Sequence, residues 1–225
     1  MSQLKIIETG DGSHSLLNET LNETYHSTHG AVQESLHVFI RNGLQFWQVR
    51  NPKKKFSILE IGFGTGLNAL LTLQEAAKKN LEIEYTTIEA FPVDMAFVEQ
   101  LNYAHHLRFE SEKYFHELHR AEWNLPVSIS ANFLLKKQKG KIQDMILREK
   151  AFDIIFFDAF APSKQPEMWE KPILEKVTKS MASKGVFVTY CAKGQLKRDL
   201  KSLGLEVESL PGPPGKREMV RGYSR

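Results

Sequence analysis

Three glycines at alternate positions, Gly62, Gly64 and Gly66, separate an apolar run at residues 56–61 from a stretch with Leu67, Leu70, Leu71 and Leu73 at helical spacing. Glycine tolerates positive φ and lets a ligand come close to the backbone. A strand, a glycine loop and a helix in that order would hold such a ligand against the carboxyl edge of a sheet. The dinucleotide pattern G-x-G-x-x-G would need a third glycine at position 67, which is leucine; the order here is E-x-G-x-G-x-G, beginning at Glu60. A bare strand-to-helix turn needs only one or two glycines, so three favour a ligand cradle. A second carboxylate, Glu89, stands twenty-five residues beyond Gly64, at the end of the next strand. Alone it is either an acceptor for ribose hydroxyls or a solvated strand-end charge; beside the glycine loop the acceptor reading prevails. A third carboxylate, Asp158, ends the apolar run 152–157 and would stand where cofactor and substrate meet.

The E-x-G-x-G-x-G order resembles the first motif of class I S-adenosylmethionine-dependent methyltransferases. That resemblance implies Glu60 beneath the methionine end of the cofactor. It also implies cofactor contacts from Gly62, Phe63, Gly64, Gly66, Asn68 and Glu89. A carboxylate there suits a cationic sulfonium and ammonium and would repel a pyrophosphate. In such enzymes an acidic residue after the third strand meets the adenine amino group. Asp144 falls in that region, as an adenine contact or as a surface helix charge.

The segment from Asp158 to Trp169 reads D-A-F-A-P-S-K-Q-P-E-M-W. Phe160 and Trp169 are either stacking surfaces for a base or core residues under the loop. The segment resembles a signature of the methyltransferase part of the MnmC family. Gly62 to Asn68 (G-F-G-T-G-L-N), Glu89 to Pro92, Tyr25 to Ser27, Glu34 to Phe39 and Gly215 to Met219 resemble other motifs of that family, in the same order. The resemblance covers about residues 25–222. It implies methylation of an aminomethyl group on the wobble uridine of tRNA, giving 5-methylaminomethyl-2-thiouridine, with S-adenosyl-L-methionine as donor. It places Phe160, Pro162, Lys164, Trp169, Lys216 and Arg217 on the tRNA side, and suggests a functional link to the enzymes that install the aminomethyl group. Bifunctional members carry a flavin-dependent oxidoreductase domain after this part. The sequence ends at Arg225, so methyl transfer without that second activity is expected. Val32 and Gln33 depart from a more acidic pair in the family, and Gln143 precedes Asp144 where a glycine is usual.

Methyl transfer to a primary amine needs the amine unprotonated and in line with the S–CH3 bond. An alkylamine such as lysine has a pKa of about 10.4, so the site must desolvate it and offer an acceptor. Asp158 is the candidate for that role, and no metal is required. Three basic groupings are candidates for phosphate contact: Arg50 with 53–55, the stretch 136–141, and 193–198 with Lys216, Arg217, Arg221 and Arg225. Each is otherwise a solvated surface; the last is preferred because the family motif lies in it. A small-molecule methyltransferase would share the cofactor residues, and a non-catalytic module binding adenosylmethionine or RNA would lack a use for Asp158.

The elements that must position these residues alternate. Strands are expected near 56–61, 83–88, 131–136, 152–157 and 185–190. Helices are expected at 31–42, 66–79, from Pro92 through Leu101, 111–122, 142–148, 171–180 and 195–203. An antiparallel hairpin would use 205–210 and 217–223. This pattern is that of a doubly wound α/β fold with a mostly parallel sheet. A small β-rich extension, 1–45, precedes the main domain at 46–225. With 41% apolar residues the chain can bury a core, and a formal net charge of +3 does not by itself identify a polyanion binder. The single Cys191 excludes an internal disulfide and a CxxC metal site. No signal-peptide pattern or membrane-length apolar run is present, and a cytoplasmic protein is expected.

Overall fold

The computed structural model describes residues 3–107 and 111–224. A three-stranded antiparallel sheet comes first: β1 (Leu4–Glu8), β2 (His14–Asn18) and β3 (Glu23–Thr24). The main sheet has eight strands: β4 (Lys55–Ile61), β5 (Glu82–Glu89), β6 (Pro126–Ser130), β7 (Phe133–Lys139), β8 (Phe152–Phe157), β9 (Met181–Thr189), β10 (Glu206–Pro211) and β11 (Glu218–Tyr223). Their order across the sheet is β10-β11-β9-β8-β4-β5-β7-β6. The five strands β4, β5, β7, β8 and β9 run parallel, while β6, β10 and β11 pair antiparallel with their neighbours. Strand order reverses at β4, which has β5 on one side and β8 on the other, so a crevice opens at its carboxyl end.

The β8 sequence shows why this sheet is covered on both faces. Ile154 and Phe156 enter one core, with Phe39, Leu70, Tyr85 and Val188. Ile155 and Phe157 enter the other, with Leu174, Val177, Phe187 and Leu200. Side chains alternate along a strand, so an unbroken apolar run requires two buried faces.

Covering the first face are the helix Leu67–Lys79 and a continuous helical run from Ala31 to Arg50, whose middle, Leu36–Gln45, has π-type turns. The run extends beyond the helix expected at 31–42. It lies close on the sheet at Gly43, where a Cβ would come within 2.9 Å of Val188 and 3.0 Å of Phe156. The second face is covered by Lys171–Lys179 and Gly194–Ser202.

Most expected elements are present within a few residues, including the β10–β11 hairpin. Two expectations need correction. The helix placed after Pro92 is one short turn, Met95–Val98, that starts later because the Asp94 side chain caps it by accepting from Ala96 N–H at 2.9 Å. The helix placed at 142–148 is only a 3₁₀ turn, Ile142–Asp144. There the Lys176 ammonium donates to the carbonyls of Ile142, Gln143 and Met145 at 3.0, 2.6 and 3.0 Å, which takes up acceptors a helix would use. The edge strand β6 was not anticipated; its Pro126 suits an edge, where one face of the backbone needs no partner. No helix among the described residues is long and apolar enough to cross a membrane.

Candidate active site

At the carboxyl ends of β4, β5 and β8 lies a cleft of about 1140 Å³. Its floor is the glycine loop. Gly62, Gly64 and Gly66 all have positive φ, at 93°, 50° and 73°, and Gly66 opens the helix Leu67–Lys79 from the left-handed region. Gly62 is the tightest point: a Cβ there would lie 2.6 Å from the Asp158 carbonyl oxygen. The three strand ends are tied together, because Asp158 N–H donates to the Ile61 carbonyl and Gly62 N–H donates to the Ile88 carbonyl.

Thr65, between the second and third glycines of the loop, is held from behind. Thr65 Oγ is shared by His26 Nε2 at 2.7 Å and the Tyr103 hydroxyl at 3.2 Å, and its carbonyl meets His119 Nε2 at 3.0 Å. Burial pushes both imidazoles down to about 4, so both are neutral near pH 7.

Glu89, at the end of β5, accepts from Phe91 N–H at 2.7 Å and from Gly64 N–H at 3.1 Å, one on each oxygen. The residue also lines the cleft, so its carboxylate is within reach of a ligand there. Asp144 is exposed on the turn after β7 and lines the same cleft. Glu60 does not line it. Its carboxyl lies fully buried under the loop, on the face of β4 covered by Asn68.

Asp158 lines the cleft at the other side of the crevice. Its Oδ2 accepts from Asn68 Nδ2 at 2.8 Å. Burial, and then the charge of Glu34, push its pKa up to about 7. Glu34 itself is buried; one oxygen accepts Ser27 N–H at 2.7 Å and the other pairs with Lys216. The Lys216 ammonium lies 3.8 Å from the centroid of the Tyr190 ring, and the Tyr190 hydroxyl donates to the Ala159 carbonyl. Phe160 lines the cleft with its ring edge-to-face on Tyr25 at 4.9 Å, and Tyr25 also lies against Gly64.

The structure thus brings Gly62, Phe63, Gly64, Asn68, Glu89, Asp144, Asp158, Phe160, Lys164 and Lys216 to one cleft. Gly66, Pro162, Trp169 and Arg217 stand outside its lining. Of the two readings of Trp169, the core one describes it: its indole is buried on Phe157 at 4.9 Å and donates to the Phe160 carbonyl at 2.8 Å. It fastens the loop that carries Phe160. Two members of the basic groupings are also committed inside the protein. Arg221 is paired with Glu208 at 2.7 Å and lies 3.4 Å from the Phe46 ring centroid. Lys137 is buried, donating to the His119 carbonyl at 2.6 Å and facing the Trp123 ring at 4.6 Å. Arg225 falls outside the described residues.

The residues that sequence reasoning passed over are Tyr25, Glu34, Thr65, His119 and Tyr190. Tyr25, Glu34 and Thr65 each lie in a segment that resembles a family motif, Tyr25–Ser27, Glu34–Phe39 and Gly62–Asn68; His119 and Tyr190 carried no signal.

A sheet that reverses at β4, a left-handed glycine floor and a carboxylate at the end of the neighbouring strand define a doubly wound fold built to hold a nucleoside. A family model described as S-adenosyl-L-methionine-dependent methyltransferase matches residues 96–225, more than half of the chain. The protein therefore belongs to the S-adenosyl-L-methionine-dependent methyltransferases, and its cofactor is S-adenosyl-L-methionine. The chain is similar to the tRNA 5-methylaminomethyl-2-thiouridine biosynthesis bifunctional protein MnmC of Idiomarina loihiensis, at 30% identity over 220 residues, and to that of Leptospira interrogans, at 32% over 217. Both matches cover 92% of this chain but only 36% and 33% of the relative, so it spans about a third of their length. Among solved structures, MNMC2 from Aquifex aeolicus superposes with a TM-score of 0.80 at 27% identity, over 99% of this chain and 70% of that one.

Proposed function

We propose that this protein methylates the primary amine of 5-aminomethyl-2-thiouridine at the wobble position of tRNA, in the cytoplasm, giving 5-methylaminomethyl-2-thiouridine. The observation that carries this reading is a single one: a half-buried carboxylate, Asp158, stands at the crevice beside a glycine-floored cofactor cleft, in a chain 30% identical to an MnmC relative over 220 residues. The enzymes that install the aminomethyl group would supply the substrate.

S-adenosylmethionine, when bound, supplies an electrophilic methyl group on a sulfonium. Its ribose would be held by Glu89, its adenine would lie beside Asp144, and Gly62, Phe63 and Gly64 would form the floor. The cleft-lining carboxylate of Glu89 and the left-handed glycines suit that group. Asp158 would receive the aminomethyl group as its ammonium and keep the proton as the nitrogen attacks. A carboxyl with a pKa near 7 suits this exchange, since it is basic enough to accept a proton and still ionised in good part near pH 7. Asn68 holds the carboxylate in one orientation, which counts because alignment supplies much of the rate in such displacements. Phe160, braced by Tyr25, would face the base, with Pro162 and Trp169 stiffening its loop. Lys164, Lys216 and Arg217 would meet the RNA backbone.

The test is incubation of the protein with methyl-labelled S-adenosylmethionine and tRNA carrying the unmethylated aminomethyl nucleoside, followed by nucleoside analysis. Label in 5-methylaminomethyl-2-thiouridine is expected. Label confined to small amines, with none in tRNA, would favour a small-molecule methyltransferase instead.

A further inference from the structure

Beneath the donor cradle lies a buried polar cluster of which methyl transfer, as described above, uses only Asn68. Glu60 stands on β4 opposite Thr87 of β5, on the face roofed by the helix Leu67–Lys79. Neither of its carboxyl oxygens has a hydrogen-bond partner among the described residues. Three atoms around it are buried and unpartnered as well: Asn68 Oδ1, the Tyr85 hydroxyl and the Thr87 hydroxyl. Asn68, Thr87 and Tyr85 all face the Glu60 carboxyl. So many unpartnered polar atoms in one place are unusual, because each costs free energy when it is cut off from water.

The distribution of protons resolves the cluster. Among the described residues no cation faces Glu60; the charge it meets is that of Asp158, which has the same sign. An ionised Glu60 would therefore lie beside an amide oxygen, another acceptor, with a second carboxylate beyond it. Burial, and then Asp158, push its pKa well above the usual carboxylate range, and the opposing pull of Thr87, Asn68 and Tyr85 toward the ionised form does not offset them. Asn68 Nδ2 is already committed to Asp158 at 2.8 Å, which leaves Asn68 Oδ1 as the amide atom in need of a donor. A carboxylic acid has an O–H to give.

We propose that Glu60 is a neutral carboxylic acid that donates to Asn68 Oδ1 and so fixes the amide with its NH2 toward Asp158. Glu60 is then a positioning residue for Asp158 and not a counter-ion of the methyl donor. An amide turned over would present its oxygen to the Asp158 carboxylate and repel it; the Glu60 proton removes that alternative. The charged and titratable groups facing this pair are Tyr85 at Glu60, and Glu34 and Lys216 at Asp158. The consequence for catalysis rests on the reading of Asp158 as the amine acceptor; the protonation of Glu60 does not.

Infrared difference spectroscopy on the donor-free protein, at about pH 9 and in H2O and D2O, separates the two. At that pH Asp158, with its pKa of about 7, is ionised. A deuterium-sensitive carboxylic-acid band is expected in the wild type and in Asp158→Asn, and is expected to vanish in Glu60→Gln. A wild type without such a band overturns the proposal. Kinetics give a second reading, because glutamine can donate to Asn68 as the acid does. Glu60→Gln should keep kcat within about threefold and leave the acid limb of the pH profile in place, while Glu60→Ala loses about tenfold or more in kcat. An acid limb that moves down in Glu60→Gln, with donor affinity falling about tenfold, would mean that a negative charge had been removed, and would contradict the proposal. A failure of tRNA methylation leaves the infrared result untouched.

Discussion

The two halves of the cleft are built in different ways. The half assigned to the donor comes from consecutive chain: one strand, one glycine loop and one helix, with Glu89 added from the next strand. The half assigned to the acceptor is assembled from segments far apart in sequence, around Tyr25 and Glu34, Asp158 to Trp169, and Lys216. Backbone conformation makes the first half, and side-chain contacts between distant segments make the second. A backbone site tolerates no added bulk, whereas a side-chain site fails through loss of charge or orientation.

That difference sets the order of expected effects. Asp158→Asn should lower kcat by roughly two orders of magnitude, the usual scale for a positioned acid–base group. Calorimetry should find donor affinity unchanged within about twofold, since the cradle is untouched. Equal losses in both would merge the two halves and break the comparison. Gly62→Ala should do the reverse. Its φ of 93° and the 2.6 Å approach to the Asp158 carbonyl leave no room for a methyl group, and forcing this conformation costs about 1–3 kcal/mol. Donor affinity and melting temperature should both fall. Glu89→Ala, which removes acceptors but no backbone, should weaken donor binding by about tenfold with a smaller change in kcat.

Smaller effects should follow pH and salt. Asp158 is pushed from 3.8 to about 7 by burial and by Glu34. Activity should therefore rise with pH through about 7 as the carboxyl loses its proton. Stability should move the other way. Between 3.8 and about 7 the folded protein holds a proton that the unfolded chain has released, so this group's contribution falls as pH rises through that window. Denaturation followed from pH 4 to pH 8 in the wild type and Asp158→Asn checks the sign, the dependence being flatter in the variant. Arg217 is exposed and outside the cleft. Arg217→Ala should reduce the dependence of log tRNA affinity on log salt by about one unit and leave donor binding alone.

Legibility in the sequence followed the same division. The glycine spacing, Glu89 and the apolar run before Asp158 were visible because local chain makes them. The two-faced burial of β8 was visible because its run lacks polar alternation. Glu34 stood in a segment that resembles a family motif, but its role was hidden, since its ion pair with Lys216 joins segments that no periodicity connects. The neutral clamps His26 and His119 were hidden for a similar reason: both converge on Thr65 from separate elements. Trp169 could not be placed between base and core until its indole N–H was seen to reach the Phe160 carbonyl. The helix expected at 142–148 had apolar residues at suitable spacing, but a lysine from a distant helix captured its carbonyls. Glu60 was read as a charge beneath the cofactor, and its burial away from the cleft appears only in three dimensions.

Titration calorimetry of the purified protein with S-adenosylmethionine and with its demethylated product, in parallel for the wild type and Asp158→Asn, addresses the donor cradle without relying on tRNA. Saturable binding of both ligands at one site per chain, equal in the two proteins, is the predicted result. Absence of binding in the wild type would contradict the assignment of the cleft, and with it every role given to the residues around it.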